Sequence, residues 1–203
     1  MAYTACAADV VANIQQDCAS PIVGGYTGRA VLFALDQNPV FVQDGTNPRI
    51  ISSVTLPNSG KYVAVDNAFA ATAMADSATQ SNADGGDIRF AKTVSFVVPE
   101  RGAAASKDII EPLTRNGLGF VMVLEKKDRK GDGSFEIVGF QQGLKANADG
   151  VVRNEAENNG ATKMTMSCTE SFYEVVLFDT DYATTKAAFD TMLANTYSDA
   201  EQR

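Results

Sequence analysis

The chain has 203 residues, 45% hydrophobic and 21% charged, enough to bury a core and too apolar to be disordered throughout. It contains no histidine and no tryptophan, which excludes Ser-His-Asp and Cys-His catalysis and His-ligated zinc or haem. Its net charge of −8 is spread along both halves without a basic stripe, so gripping phosphates is disfavoured; solubility is the ordinary reading and a surface that lets DNA slide past is the sharper one.

The N-terminus lacks the basic start and apolar core of a secretory signal, and no apolar run approaches the ~20 residues of a transmembrane helix. No membrane partner is expected. Val10, Val11, Ile14 and Cys18 recur at helical spacing and predict a helix over 5–18, ended by Pro21 and Gly24-Gly25. Cys6 and Cys18 could pair across a short loop, but three cysteines make no disulfide framework and buried thiols are the simpler reading. A strand follows at Thr27–Leu35. Arg49–Leu56 and Lys61–Phe69 read as a hairpin around the turn cluster Pro57-Asn58-Ser59-Gly60.

Residues 70–87 are small, polar and nearly free of large apolar side chains. They read either as a surface loop or as an extended arm docked on a neighbour. Ile88–Val98 returns to strand. Ala103–Asn116 is expected to be helical, with Ser106 as N-cap and Pro112 forcing a kink or an early stop.

Leu118–Leu144 carries the strongest signal: two apolar runs around a charged Gly-Asp-Gly tip, closed by a Gln-Gln-Gly-Leu corner. Leu118, Phe120, Met122 and Leu124 fall on one face and Val121 and Val123 on the other, so this hairpin must be covered on both sides, by a second layer or by another subunit. Lys145–Ala161 reads as a polar loop. Met164, Met166 and Cys168 alternate with Lys163, Thr165 and Ser167 in a half-buried strand, and Phe172–Phe178 forms another. A final helix over 181–197, capped by Thr180 or Asp181, carries Phe189, Met192, Leu193 and Tyr197 on one stripe. The pattern predicts a single strand-dominated α+β domain, an antiparallel β-sandwich or open barrel with flanking helices.

Sequence motifs give no catalytic, cofactor or metal site. Asp128–Gly133 is a poor calcium loop, because Lys130 stands at a ligand position and strands flank it. Gly24-Gly25-Tyr26-Thr27-Gly28 precedes a strand rather than a helix, so it is a turn and not a phosphate loop. Glu125 and Glu136 could face one another across the hairpin as a glycosidase pair would, but charges beside a turn are commonly only solvated. Lys126, Lys127, Arg129 and Lys130 form the one basic cluster; interleaved acids and the lack of aromatics favour an ion-pair patch over nucleic-acid binding.

Two stretches resemble a known family. They are Asp17-Cys18-Ala19-Ser20-Pro21-Ile22-Val23-Gly24-Gly25 leading into a strand, and Phe135-Glu136-Ile137-Val138-Gly139-Phe140-Gln141-Gln142-Gly143-Leu144 followed by an Asn/Gly loop and the Thr162–Cys168 strand. Both are similar to the tail tube proteins of phages with Bacteroidetes-type hosts. The resemblance implies a tail-tube-like sandwich or barrel, made in the host cytoplasm and built into the virion as stacked six-membered rings around a channel for DNA. It implies self-association and contact with other tail or neck proteins, with DNA only as passing cargo and no cofactor. Asp66, Asp84, Asp87, Glu125 and Asp132 are then expected to line the bore. Ala73, Asp76, Gln80 and Asn82 of the arm would contact a neighbouring subunit, with Lys126, Lys127, Arg129 and Lys130. A neck, baseplate or capsid-decoration role and a small-ligand-binding β-barrel are the alternatives.

Overall fold

The computed structural model describes residues 23–66, 75–82, 88–99, 102–155 and 160–197. The helix expected over 5–18 lies outside them, as do Cys6 and Cys18. Among the described residues eleven strands form two sheets. One has seven strands: β1 (Tyr26–Ala34), β2 (Val40–Gln43), β3 (Ile50–Thr55), β4 (Val63–Asp66), β7 (Phe120–Lys126), β8 (Phe135–Val138) and β11 (Val175–Leu177). Its order is β2-β3-β11-β8-β7-β1-β4. The other has four: β5 (Ala75–Asn82), β6 (Ile88–Val98), β9 (Lys145–Glu155) and β10 (Ala161–Glu170), in the order β5-β6-β10-β9. All pairings are antiparallel except β3 with β11, so the larger sheet is mixed. Neither sheet closes into a barrel.

The alternation of β1 and β7 explains the layering. Ala30, Leu32, Met122 and Leu124 point toward the smaller sheet and pack on Val94, Phe96, Met164, Met166 and the buried thiol of Cys168. Val31, Phe33, Val121 and Val123 point the other way, onto Phe189 and Met192 of helix α3 (Tyr182–Ala194). The molecule thus has three layers, and both faces of the central hairpin are covered from within the chain. Cover by another subunit is not needed to explain its sequence.

Helix α3 starts where its cap predicts: Asp181 accepts the Thr184 N–H at 2.7 Å. The middle helical segment is continuous from Ala103 to Arg115, with a π turn (Ser106–Ile110) between α1 (Ala103–Ala105) and α2 (Glu111–Arg115). Pro112 follows closely on the π turn, the local unwinding by which a helix accommodates a proline in its interior. Ser106 is itself helical, and Gly102 occupies the N-cap instead.

Three expectations are corrected. Residues 75–82 are not an arm: they are β5, paired with β6 from Ala75↔Ser95 to Asn82↔Ile88. Residues 145–155 are not a loop but β9, an edge strand with two register shifts against β10. The hairpin over 49–69 does not form. β3 pairs with β2 and β11 while β4 pairs with β1 at the far edge, because Pro57–Gly60 turns the chain without choosing its partner.

Candidate functional site

Toward the tip of the β7–β8 hairpin the apolar rows give way to charge. On the face toward the smaller sheet, Leu124 is followed by Lys126, and Glu136 stands opposite Leu124 on β8. From the smaller sheet, Lys92 continues the inward row of Val94, Phe96 and Val98, and Glu170 continues that of Met164, Met166 and Cys168. Lys92 and Glu170 are both 0% exposed and Glu136 is buried with them.

These side chains form one continuous array. Lys92 Nζ lies 3.3 Å from Glu136 Oε1 and 3.6 Å from Glu170 Oε2. Lys126 Nζ meets Glu136 Oε2 at 2.8 Å and also binds Glu174. The Tyr26 hydroxyl donates to Glu136 Oε2 at 3.1 Å. Burying ions is costly unless each is paired, and this alternation of acid and base meets that requirement.

The two central carboxyls are driven in opposite directions. Burial pushes Glu136 up, but Lys126, Lys92 and Tyr26 outweigh it and hold the group below the ordinary carboxylate range. Burial also pushes Glu170 up; there Lys92 and the N–H groups of Gln141, Phe140 and Gly139 offset only part of it, leaving the carboxyl above its ordinary value. Burial lowers Lys126, but Glu136 and Glu174 more than compensate and hold it above the usual lysine value.

The opposite face of the same hairpin carries a second ionic group. Glu125 accepts a hydrogen bond from Thr27 Oγ1 at 2.9 Å and lies 3.0 Å from Arg29 Nε. Arg29 reaches on to Asp190 of α3 at 2.8 Å and lies over the Phe189 ring. Glu125 and Glu136 therefore sit on opposite faces of the sheet and cannot act as a carboxylate pair.

Of the acids expected to line a bore, Asp66 ends β4 and is exposed, and Asp132 is exposed in the 3₁₀ turn Gly131–Ser134 at the hairpin tip. Glu125 is only 2% exposed and cannot line anything; its place in the charged tip hid the fact that its strand phase points to α3. Asp84, Asp87 and Ala73 lie outside the described residues. Asp76, Gln80 and Asn82 belong to β5, opposite Val94, Phe90 and Ile88 of their own chain. Lys126 turns inward to its two glutamates, whereas Lys127, Arg129 and Lys130 remain exposed. The basic cluster is thus split, its first member being part of the buried array.

A cleft of about 380 Å³ lies beside the array, between Gly24-Gly25-Tyr26 and the hairpin tip, with Lys126, Lys130 and Glu174 on its walls. No group of three or more His, Cys, Asp or Glu among the described residues could hold a metal ion. No helix among them is long and apolar enough to cross a membrane. Sequence reading misses Lys92, Glu170, Glu174 and Tyr26. The signal for two of them is present, because Lys92 and Glu170 occupy core-phase positions at the ends of otherwise apolar rows.

No family model, no curated protein and no solved structure matches this chain.

Proposed function

We propose that the chain is a self-assembling structural subunit, and specifically a phage tail tube protein whose rings stack around a passage for DNA. The observation that carries this reading is the open larger sheet. Among the described residues no strand pairs with the outer edges of β2 and β4, where the one contact is the bridge that Tyr62, just before β4, makes to Thr196; Val40, Val42 and Val63 on those edges are 52%, 48% and 40% exposed. Unpaired strands with apolar side chains are surfaces on which another chain can add a strand, and soluble monomers usually block such edges. The similarity of the Asp17–Gly25 and Phe135–Leu144 stretches to tail tube proteins supports the same reading, and the net charge of −8 suits a bore that repels phosphates. The apolar character of both hairpin faces no longer contributes, since the chain covers them itself.

Electron microscopy and sedimentation of the purified protein test the proposal. Rings or tubes are expected, and Val40→Lys with Val42→Lys should abolish them while leaving the circular dichroism spectrum unchanged. Only monomer at high concentration, under every trigger of assembly, would refute it.

A further inference from the structure

We propose that Lys92 and Glu170 become joined by a side-chain amide bond, made by the folded chain itself with Glu136 as proton carrier. The inference is independent of the assembly reading and rests on the arrangement at the end of the inter-sheet core.

Such a bond needs an amine and a carboxyl held together away from water, a group to move the proton, and donors for the developing oxyanion. Lys92 and Glu170 are each fully buried, on neighbouring strands β6 and β10, with Nζ 3.6 Å from Oε2. The carbon to be attacked, Cδ, is bonded to that oxygen, so the amine stands against the carboxyl it must acylate. Glu136 Oε1 stands 3.3 Å from the same Nζ. On the far side, Glu170 Oε1 accepts the Gln141 N–H at 3.4 Å, and the N–H groups of Phe140 and Gly139 also act on this carboxyl. Backbone donors placed in this way stabilise negative charge on a tetrahedral oxygen. Oε2 accepts no hydrogen bond, which leaves it as the departing oxygen.

The step balances without any co-reactant. In the dry site a proton passes from the Lys92 ammonium to Glu170, giving a neutral amine and a neutral acid; burial already favours the protonated form of Glu170. The Nζ lone pair then forms the C–N bond to Cδ while Oε1 takes up negative charge against the corner N–H groups. An N–H proton moves to Glu136, the C–Oε2 bond breaks, and Glu136 returns that proton to the departing hydroxyl. One water leaves, the amide keeps one N–H, and Glu136 ends ionised against Lys126 as it began. A charged lysine and a charged glutamate are thereby removed from the interior, relieving the desolvation that a permanent buried pair must bear. The bond would tie β6 to β10 beneath the Gly139–Gln142 corner.

The test is intact-mass measurement of the denatured full chain, followed by protease mapping. The wild type is expected one water lighter than its sequence after allowance for loss of Met1, with one branched peptide joining the Lys92 and Glu170 segments and no tryptic cut after Lys92. Lys92→Met and Glu136→Gln should each show the full sequence mass, with circular dichroism showing that Glu136→Gln has the wild-type fold. Separate unmodified peptides from the wild type would overturn the proposal, as would a water loss mapped to an Asp-Gly pair such as Asp132-Gly133. Persistence of the bond in Glu136→Gln would overturn the proton-carrier role.

Discussion

Gly139 and Gly131 flank the same strand and both hold positive φ, yet alanine should be tolerated at one and not at the other. At Gly131 (φ +58°) an added Cβ would have nothing within 4 Å, so Gly131→Ala carries only the left-handed backbone cost of about 1–2 kcal/mol. At Gly139 (φ +87°) the same atom would stand 2.4 Å from the Phe120 carbonyl oxygen and 2.9 Å from the Leu144 nitrogen. Those two atoms are hydrogen-bonded to one another and close the corner, and Phe120 N–H returns a bond to Leu144 O at 2.9 Å. Relieving the clash means parting them. The cost is then roughly 1–3 kcal/mol of backbone strain plus about 1–3 kcal/mol for buried backbone groups left unpaired. Gly139→Ala should lose about 2–6 kcal/mol, or roughly 4–24 °C in Tm for a chain of this length, about 1–4 kcal/mol more than Gly131→Ala. Urea unfolding of both variants, followed by circular dichroism, measures the difference directly. Equal losses within about 0.5 kcal/mol would show that the corner relaxes freely and refute the packing argument.

Phe189→Ala should cost about 3–5 kcal/mol and loosen α3, because the ring is fully buried against Phe135 at 5.0 Å between centroids. Tyr197→Ala, 44% exposed, should stay within about 0.5 kcal/mol in the same unfolding assay. Glu136 is held below the ordinary carboxylate value, so its contribution is present above that value and lost as pH falls through the folded one. In a Lys92→Met background, where no amide can form and Lys126 still faces the carboxylate, Glu136→Gln should therefore be the less stable at neutral pH, with the gap closing below about pH 4; a gap that widens on acidification would reverse the assignment.

The central strands were legible because burial on both faces leaves a signature no exposed strand can copy: apolar residues at every position from Phe120 to Leu124. The α3 cap and the Met164–Cys168 alternation were legible for the same local reasons. β5 and β9 were not. Edge strands receive backbone hydrogen bonds from one side only and need no apolar row, so Ser77, Thr79 and Gln80, or Asn147 and Asp149, look like loop residues until β6 and β10 are in place. The partner of β3 was equally hidden, since the parallel bond to β11 joins segments more than a hundred residues apart. As for the site, the Lys126–Lys130 cluster reads as one patch because its members adjoin in sequence. Strand phase divides it, sending Lys126 inward and leaving Lys127 outside.

The position of the two ionic groups follows from what apolar packing leaves undetermined. Each core holds its layers together, yet contact between aliphatic side chains is non-directional and would tolerate a small slide of α3 or of the four-stranded sheet. Ion pairs are short and directional. Arg29 ties Glu125 to Asp190 and so fixes α3 against one face of the hairpin, while Lys92 and Lys126 tie Glu136 to Glu170 and Glu174 and fix β10 and the start of β11 against the other. Both groups meet on β7 and β8 within a few residues of the tip. The hairpin thereby carries the alignment of all three layers at one end, next to the exposed Lys127, Arg129 and Lys130. A contact made at the tip by a partner would act on the element to which every layer is pinned.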